Sequence, residues 1–395
     1  MSPKTTAILF ALAAALASFV YFYEIEGEQA RLDAKAAEGR LFRDLEQGAI
    51  ESIALRAADA PEIRFERRDA HWRIVSPLDA AADAFAVDGL AGAIAQLSSE
   101  SVIEQPRALD VYGIDAQGTQ VRFQGGGSEK VLRLGKTTPV GGNTYVAIDG
   151  DARVFTVVSY QLQPFRKKLD EFRDKQILSF DRAAVKTIRI SSSEARLVLE
   201  RGDDGWRVAS PVDDRADADS VEQLLSSLAY LRASGFVDDA IDDAVTGLAS
   251  PDLAIELETP AQEGDAEPTI ARLAVGGVKE GGSERYARGS SGALYTISQS
   301  SLDDIERGVV DYRDLRLAEL AVDEARRVEL GFHTEGGETV AIRVERAEDG
   351  WRSDAEPIDS SRLDELVRAL ASLRATDVVA EQLGAEELAA MGLEP

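Results

Sequence analysis

Two histidines, His71 and His333, are the first candidates in the sequence for proton transfer or metal binding. They lie far apart in the chain, at no spacing that would place both on one helix face. The sequence holds no cysteine, which rules out thiol nucleophiles, cysteine–metal sites and disulfides. No serine lies in the Gly-x-Ser-x-Gly context of a nucleophile elbow. We therefore predict no catalytic residue, no cofactor-binding residue or cofactor, and no metal ligand.

Gly135-Lys136-Thr137 has the ending of a phosphate-binding loop, in which backbone N–H groups cradle the phosphates and the lysine neutralises them. The full loop requires a glycine five residues before Gly135, but that position is Lys130. Residues 131–134 alternate like a strand. The sequence therefore favours a turn after a strand over a nucleotide site.

Acidic residues cluster in two runs that could attract a divalent cation. An EF-hand loop would need a central glycine and a terminal glutamate at fixed positions, and neither run has them. Solvated loops and a helix cap are the favoured interpretation. The runs contain Asp213, Asp214, Asp217 and Asp219, and then Asp238, Asp239, Asp242 and Asp243.

Arg166, Lys167 and Lys168 form a dense basic cluster in a chain whose net charge is −27. They fall within a helix predicted over residues 161–172. There they would either dock an acidic partner or lipid headgroups, or form a solvated face beside Asp170 and Glu171. The negative charge of the whole chain argues against nucleic acid as a partner, because phosphate binding requires an excess of Lys and Arg.

The three tryptophans mark a stretch that occurs three times, and this stretch must organise any site. Each tryptophan is followed by an arginine, a proline and an aspartate, and a glycine stands 41 residues after it. This recurrence predicts internal duplication. The repeated positions are Trp72, Pro77, Asp83 and Gly113; Trp206, Pro211, Asp217 and Gly247; and Trp351, Pro357, Asp359 and Gly392.

Each tryptophan belongs to the last strand of a predicted antiparallel meander, which an amphipathic helix follows. Two segments of mostly alternating apolar residues precede each tryptophan, and Asp-Gly hairpin signals precede two of the tryptophans directly. The aspartate is placed to cap the helix, and the tryptophan to pack between helix and meander. Aliphatic residues recur in each helix at i, i+3, i+7 and i+10: Val87, Leu90, Ile94 and Leu97; Val221, Leu224, Leu228 and Leu231; and Leu363, Leu366, Leu370 and Leu373.

A second half of the repeat occurs twice, and each copy ends in a related tripeptide, Phe172-Arg173-Asp174 or Tyr312-Arg313-Asp314. The third copy stops before this half, so it is either a truncated cap or part of a longer chain. We predict an α+β fold with an N-terminal transmembrane helix, duplicated domains of antiparallel meander sheets each packed by an amphipathic helix, and a third half unit. The predicted boundaries are 1–27 (anchor), 28–45 (membrane-proximal stalk), 46–181 and 182–321 (two repeat units), and 322–395 (half unit).

Residues 5–23 form an uncharged, mostly apolar run, with Lys4 before it and Glu24, Glu26 and Glu28 after it. As a helix this run would span about 28 Å, close to the thickness of a hydrocarbon core. The positive-inside rule places the N-terminus in the cytoplasm and the rest of the chain outside it. The run predicts a single-pass inner-membrane anchor; a cleaved signal peptide is the alternative.

These features together resemble the bacterial family DUF4340, a domain of unknown function. The resemblance rests on the N-terminal span, the Trp72–Pro77 stretch, Leu134-Gly135-Lys136 and the Arg-Asp endings. It also rests on Tyr112-Gly113-Ile114-Asp115 and residues 391–395, whereas Thr246-Gly247-Leu248 lacks the aromatic residue. The resemblance implies an envelope protein linked to ABC-type transport systems related to gliding-motility machinery. It carries over no catalytic residue.

The sequence thus favours a membrane-anchored extracytoplasmic accessory or scaffold protein, with an ABC-type permease or auxiliary subunit as partner. One alternative is an envelope hydrolase that acts on a polymer or lipid through carboxylates which sequence alone cannot pair. The other is a periplasmic ligand-binding protein.

Overall fold

The computed structural model describes residues 39–393, apart from 59, 116, 194, 262–266, 319, 334–338, 348–349 and 354–357. The chain divides into two compact units, one ending at Lys175 and one beginning at Gln176. Pairs between the named strands are antiparallel throughout. The anchor (1–27) and most of the stalk (28–45) predicted from the sequence lie outside the described residues.

The first unit contains one nine-stranded sheet in the order β4-β3-β2-β1-β6-β7-β8-β9-β5. In this order, β1 pairs with β6 and so joins the meander β1–β4 to the rest of the sheet. Its strands are β1 (Ile50–Arg56), β2 (Ile63–Arg68), β3 (His71–Ser76), β4 (Ala80–Ala81), β5 (Ser101–Ile103), β6 (Gln120–Gly125), β7 (Ser128–Thr137), β8 (Asn143–Ile148) and β9 (Val154–Val158).

The second unit repeats this sheet with the same order, β13-β12-β11-β10-β15-β16-β17-β18-β14. Its strands are β10 (Thr187–Ser192), β11 (Arg196–Gly202), β12 (Gly205–Ser210), β13 (Asp214–Arg215), β14 (Gly235–Phe236), β15 (Leu253–Thr259), β16 (Thr269–Val278), β17 (Glu284–Arg288) and β18 (Leu294–Ser298). A three-stranded sheet follows in the order β19-β20-β21, formed by β19 (Arg327–His333), β20 (Thr339–Ala347) and β21 (Gly350–Ser353).

Three α-helices of equal length follow the three meanders, and a shorter α-helix follows each of the last two. The helices are α1 (Ala84–Ala95), α2 (Ala218–Ala229), α3 (Asp243–Thr246), α4 (Ser360–Ala371) and α5 (Ala385–Ala390). Short 3₁₀ turns are Gln47–Ala49, Leu109–Tyr112, Ser159–Arg166, Leu169–Glu171, Gln299–Ser301 and Val309–Tyr312.

An aspartate side chain caps each of the three long helices. Asp83 accepts a hydrogen bond from the N–H of Ala86 at 2.9 Å, and Asp217 accepts one from Ser220 at 3.0 Å. Asp359 accepts one from Ser361 at 3.0 Å. Each bond satisfies a backbone donor that has no partner inside the helix, which fixes where the helix begins.

The two halves of each full repeat share one core. On β1, Ile53 lies opposite Phe123 of β6, and on β10, Ile188 lies opposite Leu257 of β15. All four side chains are buried. The apolar stripes of α1 and α2 lie against these sheets and are buried along their whole length. Burial of such stripes is the main favourable term for each repeat.

Two glycine motifs of the repeat meet in space. A side chain at Gly135 would place its Cβ 2.4 Å from the carbonyl oxygen of Tyr112, and one at Gly276 would place it 2.1 Å from that of Thr246. The turns that contain Tyr112 and Thr246 therefore cross directly over β7 and β16. Only glycine permits so close an approach of two backbones.

The structure confirms duplicated antiparallel domains, and it corrects one predicted element. The continuous helix predicted over residues 161–172 is wrong: two 3₁₀ turns, Ser159–Arg166 and Leu169–Glu171, occupy this segment. Pro164 lies inside the first turn, where it cannot donate the backbone hydrogen bond of an α-helix. Within the described residues, no helix is both long and apolar enough to span a membrane.

Candidate functional site

An arginine, a tryptophan and an aspartate form one cluster in the first repeat. The guanidinium of Arg67 lies 4.8 Å from the ring centroid of Trp72 and donates to Asp88 Oδ1 at 3.1 Å. Trp72 Nε1 donates to the same oxygen at 2.8 Å. Arg67 also donates to the carbonyl oxygen of Gly48 at 3.2 Å. The cluster thereby ties β2, β3 and α1 to the 3₁₀ turn that precedes β1.

The second repeat contains the same cluster with one difference. Arg201 lies 5.1 Å from the ring centroid of Trp206 and donates to Glu222 at 2.7 Å and to the carbonyl oxygen of Ala183 at 3.0 Å. The indole N–H of Trp206 is buried and has no hydrogen-bond partner within the described part of the chain. Glu222, which stands where the first repeat has Asp88, binds Arg201 but accepts no hydrogen bond from the Trp206 indole.

The half repeat restores the first arrangement. Arg346 lies 5.0 Å from the ring centroid of Trp351 and donates to Asp364 at 2.9 Å and to the carbonyl oxygen of Val322 at 2.8 Å. Trp351 Nε1 donates to Asp364 at 2.8 Å. This hydrogen bond is the main cause of a lowered pKa at Asp364; desolvation opposes it, and the charges of Arg346 and Arg368 add to the lowering.

These clusters hold the fold and offer little to a substrate. Each tryptophan is buried, and each arginine uses its guanidinium for a ring, a carboxylate and a carbonyl oxygen. The tryptophans could be predicted from the sequence, but their arginine and acidic partners were not. The signal was present: an arginine precedes each tryptophan by five residues, and an acidic residue follows each capping aspartate by five.

The repeated prolines and glycines lie at turns. Pro77 and Pro211 follow cis peptide bonds at the ends of β3 and β12, and Pro357 lies outside the described residues. Gly113, Gly247 and Gly392 have positive φ angles of 69°, 76° and 72°, a conformation that glycine adopts without steric cost.

The basic cluster predicted as a docking site is exposed only in part. Arg166 ends a 3₁₀ turn and Lys168 precedes the next one, whose Glu171 accepts a hydrogen bond from the Lys168 backbone at 2.8 Å. Lys167 is half-buried, with its ammonium 5.8 Å from the ring centroid of Phe172. The three side chains therefore do not share one helix face.

One arginine of the second repeat is almost completely buried. The side chain of Arg285 is 9% exposed and donates to Glu306 at 2.8 Å, to Asp252 at 2.5 Å and twice to the carbonyl oxygen of Gly276, at 3.0 and 2.8 Å. At the corresponding position of the first repeat, the buried hydroxyl of Thr144 bonds that of Ser159 at 2.8 Å. The two repeats thus differ in chemistry at this point.

Arg285 lines a cavity of about 500 Å³ in the second repeat. Asp252 and Glu306 line the same cavity, and Arg285 binds both carboxylates. The remaining wall is mixed, with apolar side chains that include Ile190, Leu197, Leu253 and Ile305. An amphipathic small molecule would fit such a wall.

The two histidines belong to different sheets. His71 is exposed at the start of β3, and His333 ends β19. Among the described residues, no group of three His, Asp or Glu side chains is arranged to hold a metal ion.

A family model for DUF4340, a domain of unknown function, matches residues 72–251 and again residues 206–395. The chain belongs to the DUF4340 family. No curated protein and no solved structure matches the chain. Each DUF4340 match begins at the tryptophan of one repeat and extends past the glycine turn of the next. The half repeat is therefore an integral part of the second DUF4340 match.

The half repeat of this DUF4340 chain leaves positions open that the full repeats cover. Val328 and Leu330 of β19 are only half-buried, because no described strand pairs with the outer edge of β19. Farther along, Leu370 and Leu373 on the apolar stripe of α4 are 40% and 48% exposed. A side chain at Gly392 would meet no atom of the described residues within 4 Å of its Cβ.

Proposed function

We propose that the chain is a membrane-anchored accessory protein of the cell envelope, which binds partner proteins and catalyses no reaction. In this proposal residues 5–23 cross the inner membrane, and the repeats lie outside the cytoplasm. The uncharged run with Lys4 before it and glutamates after it supports this orientation. An ABC-type permease or auxiliary subunit is the proposed partner, and the choice rests on the family resemblance described above.

The observation that carries the binding role is the uncovered half repeat. Leu370 and Leu373 are exposed, and no described strand pairs with the outer edge of β19; both features favour association with another protein. The repeated arginine, tryptophan and acidic residues support the same role, because the described clusters use them to hold strands and helices together. Repeats held together in this way suit a scaffold.

The test is fractionation and cross-linking of the full chain in bacterial membranes. We expect the chain to resist carbonate extraction and to cross-link to a permease or its auxiliary subunit. A variant that lacks residues 2–27 is the matched control, and it should appear in the soluble fraction. A full-length chain that is released by carbonate as a free monomer, with no cross-linked partner, would contradict the proposal.

The cavity beside Arg285 favours a second candidate, a periplasmic ligand-binding protein. Its mixed wall and volume suit a small amphipathic molecule. A thermal-shift screen with envelope metabolites would test it, since a ligand that binds only the folded state raises the melting temperature. Val278→Trp, which places a large ring in the cavity wall, should abolish any true shift. A shift that persists in this variant would place the ligand elsewhere.

A further inference from the structure

An ion cluster in the cavity wall distinguishes the second repeat from the first. Its residues come from β17, from the position before β15 and from the segment after β18. The matching strand registers and tripeptide endings of the two repeats identify the corresponding positions. The cluster consists of Arg285, Asp252 and Glu306, which stand where the first repeat has Thr144, Gly118 and Arg166. Three positions far apart in the chain therefore differ together, and all three line one cavity.

The guanidinium of Arg285 is already bound by the protein. It donates from Nε and Nη2 to the carbonyl oxygen of Gly276, from Nη2 to Asp252 and from Nη1 to Glu306. These bonds use four of its five N–H groups. An anionic ligand would have to compete with two carboxylates for this guanidinium, so Arg285 is a poor anion-binding group.

The two carboxylates keep lone pairs that Arg285 does not use. Asp252 binds Arg285 through Oδ2, and within the described residues its Oδ1 accepts no hydrogen bond. The Asp252 side chain is 60% exposed. Glu306 binds Arg285 through Oε1 and accepts a hydrogen bond from Gln299 on Oε2 at 3.2 Å. Since a carboxylate has about four acceptor positions, both side chains can accept further hydrogen bonds from a ligand.

The charge of the ion cluster favours a cation. One positive and two negative groups leave it with a net charge of −1. Arg307 is the other charged residue among the described ones that line the cavity, and it is paired with Asp304 at 3.2 Å. A negative group in a partly enclosed site attracts a cation more strongly than it would in open water. The net charge of −27 on the whole chain acts in the same direction.

The rest of the cavity wall suits an apolar body. Four aliphatic side chains in it are buried, with exposed fractions between 0% and 6%: Ile190, Leu197, Leu253 and Ile305. A volume of about 500 Å³ lies within the range of small-molecule sites. An alkyl or aryl group placed there would be removed from water, which is favourable.

We infer that this cavity binds a small amphipathic amine. Its ammonium group lies against Asp252 and Glu306, and its apolar body lies against the aliphatic wall. A primary ammonium has three N–H donors and no acceptor, which matches a pair of carboxylates with lone pairs to spare. The inference rests on the ligand-binding candidate described above, and it names the charge and chemical class of the ligand.

Hexylamine, hexanol and hexanoate are suitable probes, because they share one alkyl chain and differ in the charge of the head group. Isothermal titration calorimetry of the full chain in detergent measures the affinity for each, with the same detergent solution as the blank. We expect hexylamine to bind about tenfold more tightly than hexanol, the order of one charge-assisted hydrogen bond, and hexanoate to bind most weakly.

Variants of the two carboxylates test where the ammonium lies. Asp252→Asn and Glu306→Gln each remove one negative charge and keep the shape of the side chain, so hexylamine affinity should fall toward that of hexanol. Unchanged hexanol binding shows that the cavity stays intact in these variants. Asp203→Asn is the matched control, because it removes the same charge at an exposed turn between β11 and β12 and should bind like the wild type.

Hexylamine binding that is unchanged in Asp252→Asn and Glu306→Gln would overturn the inference. An equal loss in Asp203→Asn would do so too, because general attraction to the acidic chain would then explain the binding.

Two further results separate the inference from the function on which it rests. If hexanoate binds more tightly than hexylamine, and Val278→Trp abolishes its binding, the ligand-binding candidate stands and the inference fails. If no probe binds, or if all three bind Val278→Trp as they bind the wild type, the inference and the candidate both fail for this cavity. The accessory role is tested separately by membrane cross-linking.

Discussion

Tyr312 shows how one atom distinguishes the two full repeats. Its ring is fully buried, and its hydroxyl has no hydrogen-bond partner among the described residues. The corresponding residue of the first repeat is Phe172, which is also buried. A buried hydroxyl without a partner is destabilising, whereas the phenyl ring fills the same space at no such cost.

We predict that Tyr312→Phe stabilises the second repeat by about 1 kcal/mol, the order of one unmade hydrogen bond. Phe172→Tyr should destabilise the first repeat by a similar amount. Urea unfolding, followed through Trp206 or Trp72 in variants whose other tryptophans are phenylalanine, measures each repeat separately. A loss of stability in Tyr312→Phe would mean that the hydroxyl has a partner.

Burial also raises the pKa of Tyr312 to about 12 from its ordinary value of 10.0. The fold therefore holds the neutral phenol, and this contribution to stability is complete below pH 10 and is lost as the pH rises toward 12. Tyr312→Phe should remove that alkaline loss. Unfolding curves of the second repeat at pH 8 and pH 11 test this expectation.

Asp364 is one carboxylate whose protonation should weaken the half repeat in acid. Its pKa is lowered from 3.8, first through the hydrogen bond from Trp351. A lowered pKa contributes stability above the ordinary value, and this contribution is lost as the pH falls through the folded-state value. We predict that Asp364→Asn flattens the loss of stability below pH 3.8, as read from Trp351 fluorescence in a chain with no other tryptophan. If Asp364→Asn lost stability below pH 3.8 as steeply as the wild type, the prediction would be wrong.

Whether the role of a residue could be predicted from the sequence depends on how far along the chain its partner lies. Asp83 could be identified from sequence as a helix cap, because its partner lies three residues away. Asp88 could not be identified as the acceptor of Trp72, because β3 and α1 must first be folded together. Arg285 gave no sequence signal, since its three partners come from separate elements.

At the scale of elements, the crossing of a turn over β7 leaves no room for a side chain at Gly135. We predict that Gly135→Ala destabilises the first repeat by about 2–4 kcal/mol, because the added carbon would meet the Tyr112 carbonyl oxygen at 2.4 Å. Gly276→Ala should act similarly on the second repeat. Thermal unfolding followed by single-tryptophan fluorescence measures both.

Gly89→Ala is the matched control for this prediction. Gly89 lies in α1, and a Cβ there would meet nothing within 4 Å. The substitution should stabilise the helix by about 0.5–1 kcal/mol, as alanine does in helix interiors. If Gly135→Ala and Gly89→Ala changed the stability in the same direction, the close approach of the Tyr112 carbonyl oxygen would not be what requires glycine at position 135.

Local periodicity explains which elements the sequence could reveal. The meanders and capped helices could be predicted from two-residue alternation and from a 3.6-residue period, because both patterns depend only on residues that are close together in the chain. The pairing of β1 with β6 does not follow, because more than 60 residues separate their centres and several partners satisfy the same pattern. At residues 161–172, the apolar spacing suggested a helix, and Pro164 turned the segment into 3₁₀ structure.

At the scale of the whole molecule, ion pairs join the second repeat to the half repeat. Arg374 donates to Asp217, the cap of α2, at 2.9 Å, and Arg313 binds both Asp214, at 2.7 Å, and Glu381, at 2.6 Å. Desolvation opposes ionisation of Asp217, but hydrogen bonds from Ser220 and Arg374 outweigh it and lower its pKa.

We predict that Arg374→Met uncouples the two parts. The pair is partly exposed, so the cost to the second repeat should be only about 0.5–1 kcal/mol. The clearer result is separation of the transitions reported by Trp206 and Trp351, which should nearly coincide in the wild type. High salt should reproduce part of this effect by screening. Coincident transitions in the variant would show that other contacts couple the parts.

The duplication itself was predictable, because three tryptophans at matching offsets can be recognised without any structure. The difference between the copies was not, since it depends on side chains that meet only in the folded sheet.

The exchange of Thr144 for Arg285 restricts how the two copies could recombine. A strand moved from the second repeat into the first would bring its guanidinium to a place where Gly118 and Arg166 replace Asp252 and Glu306. It would then lack the two carboxylates that bind it in the second repeat. Hybrids produced by unequal crossing-over between these homologous halves should therefore be destabilised, because a buried guanidinium without its partners is costly.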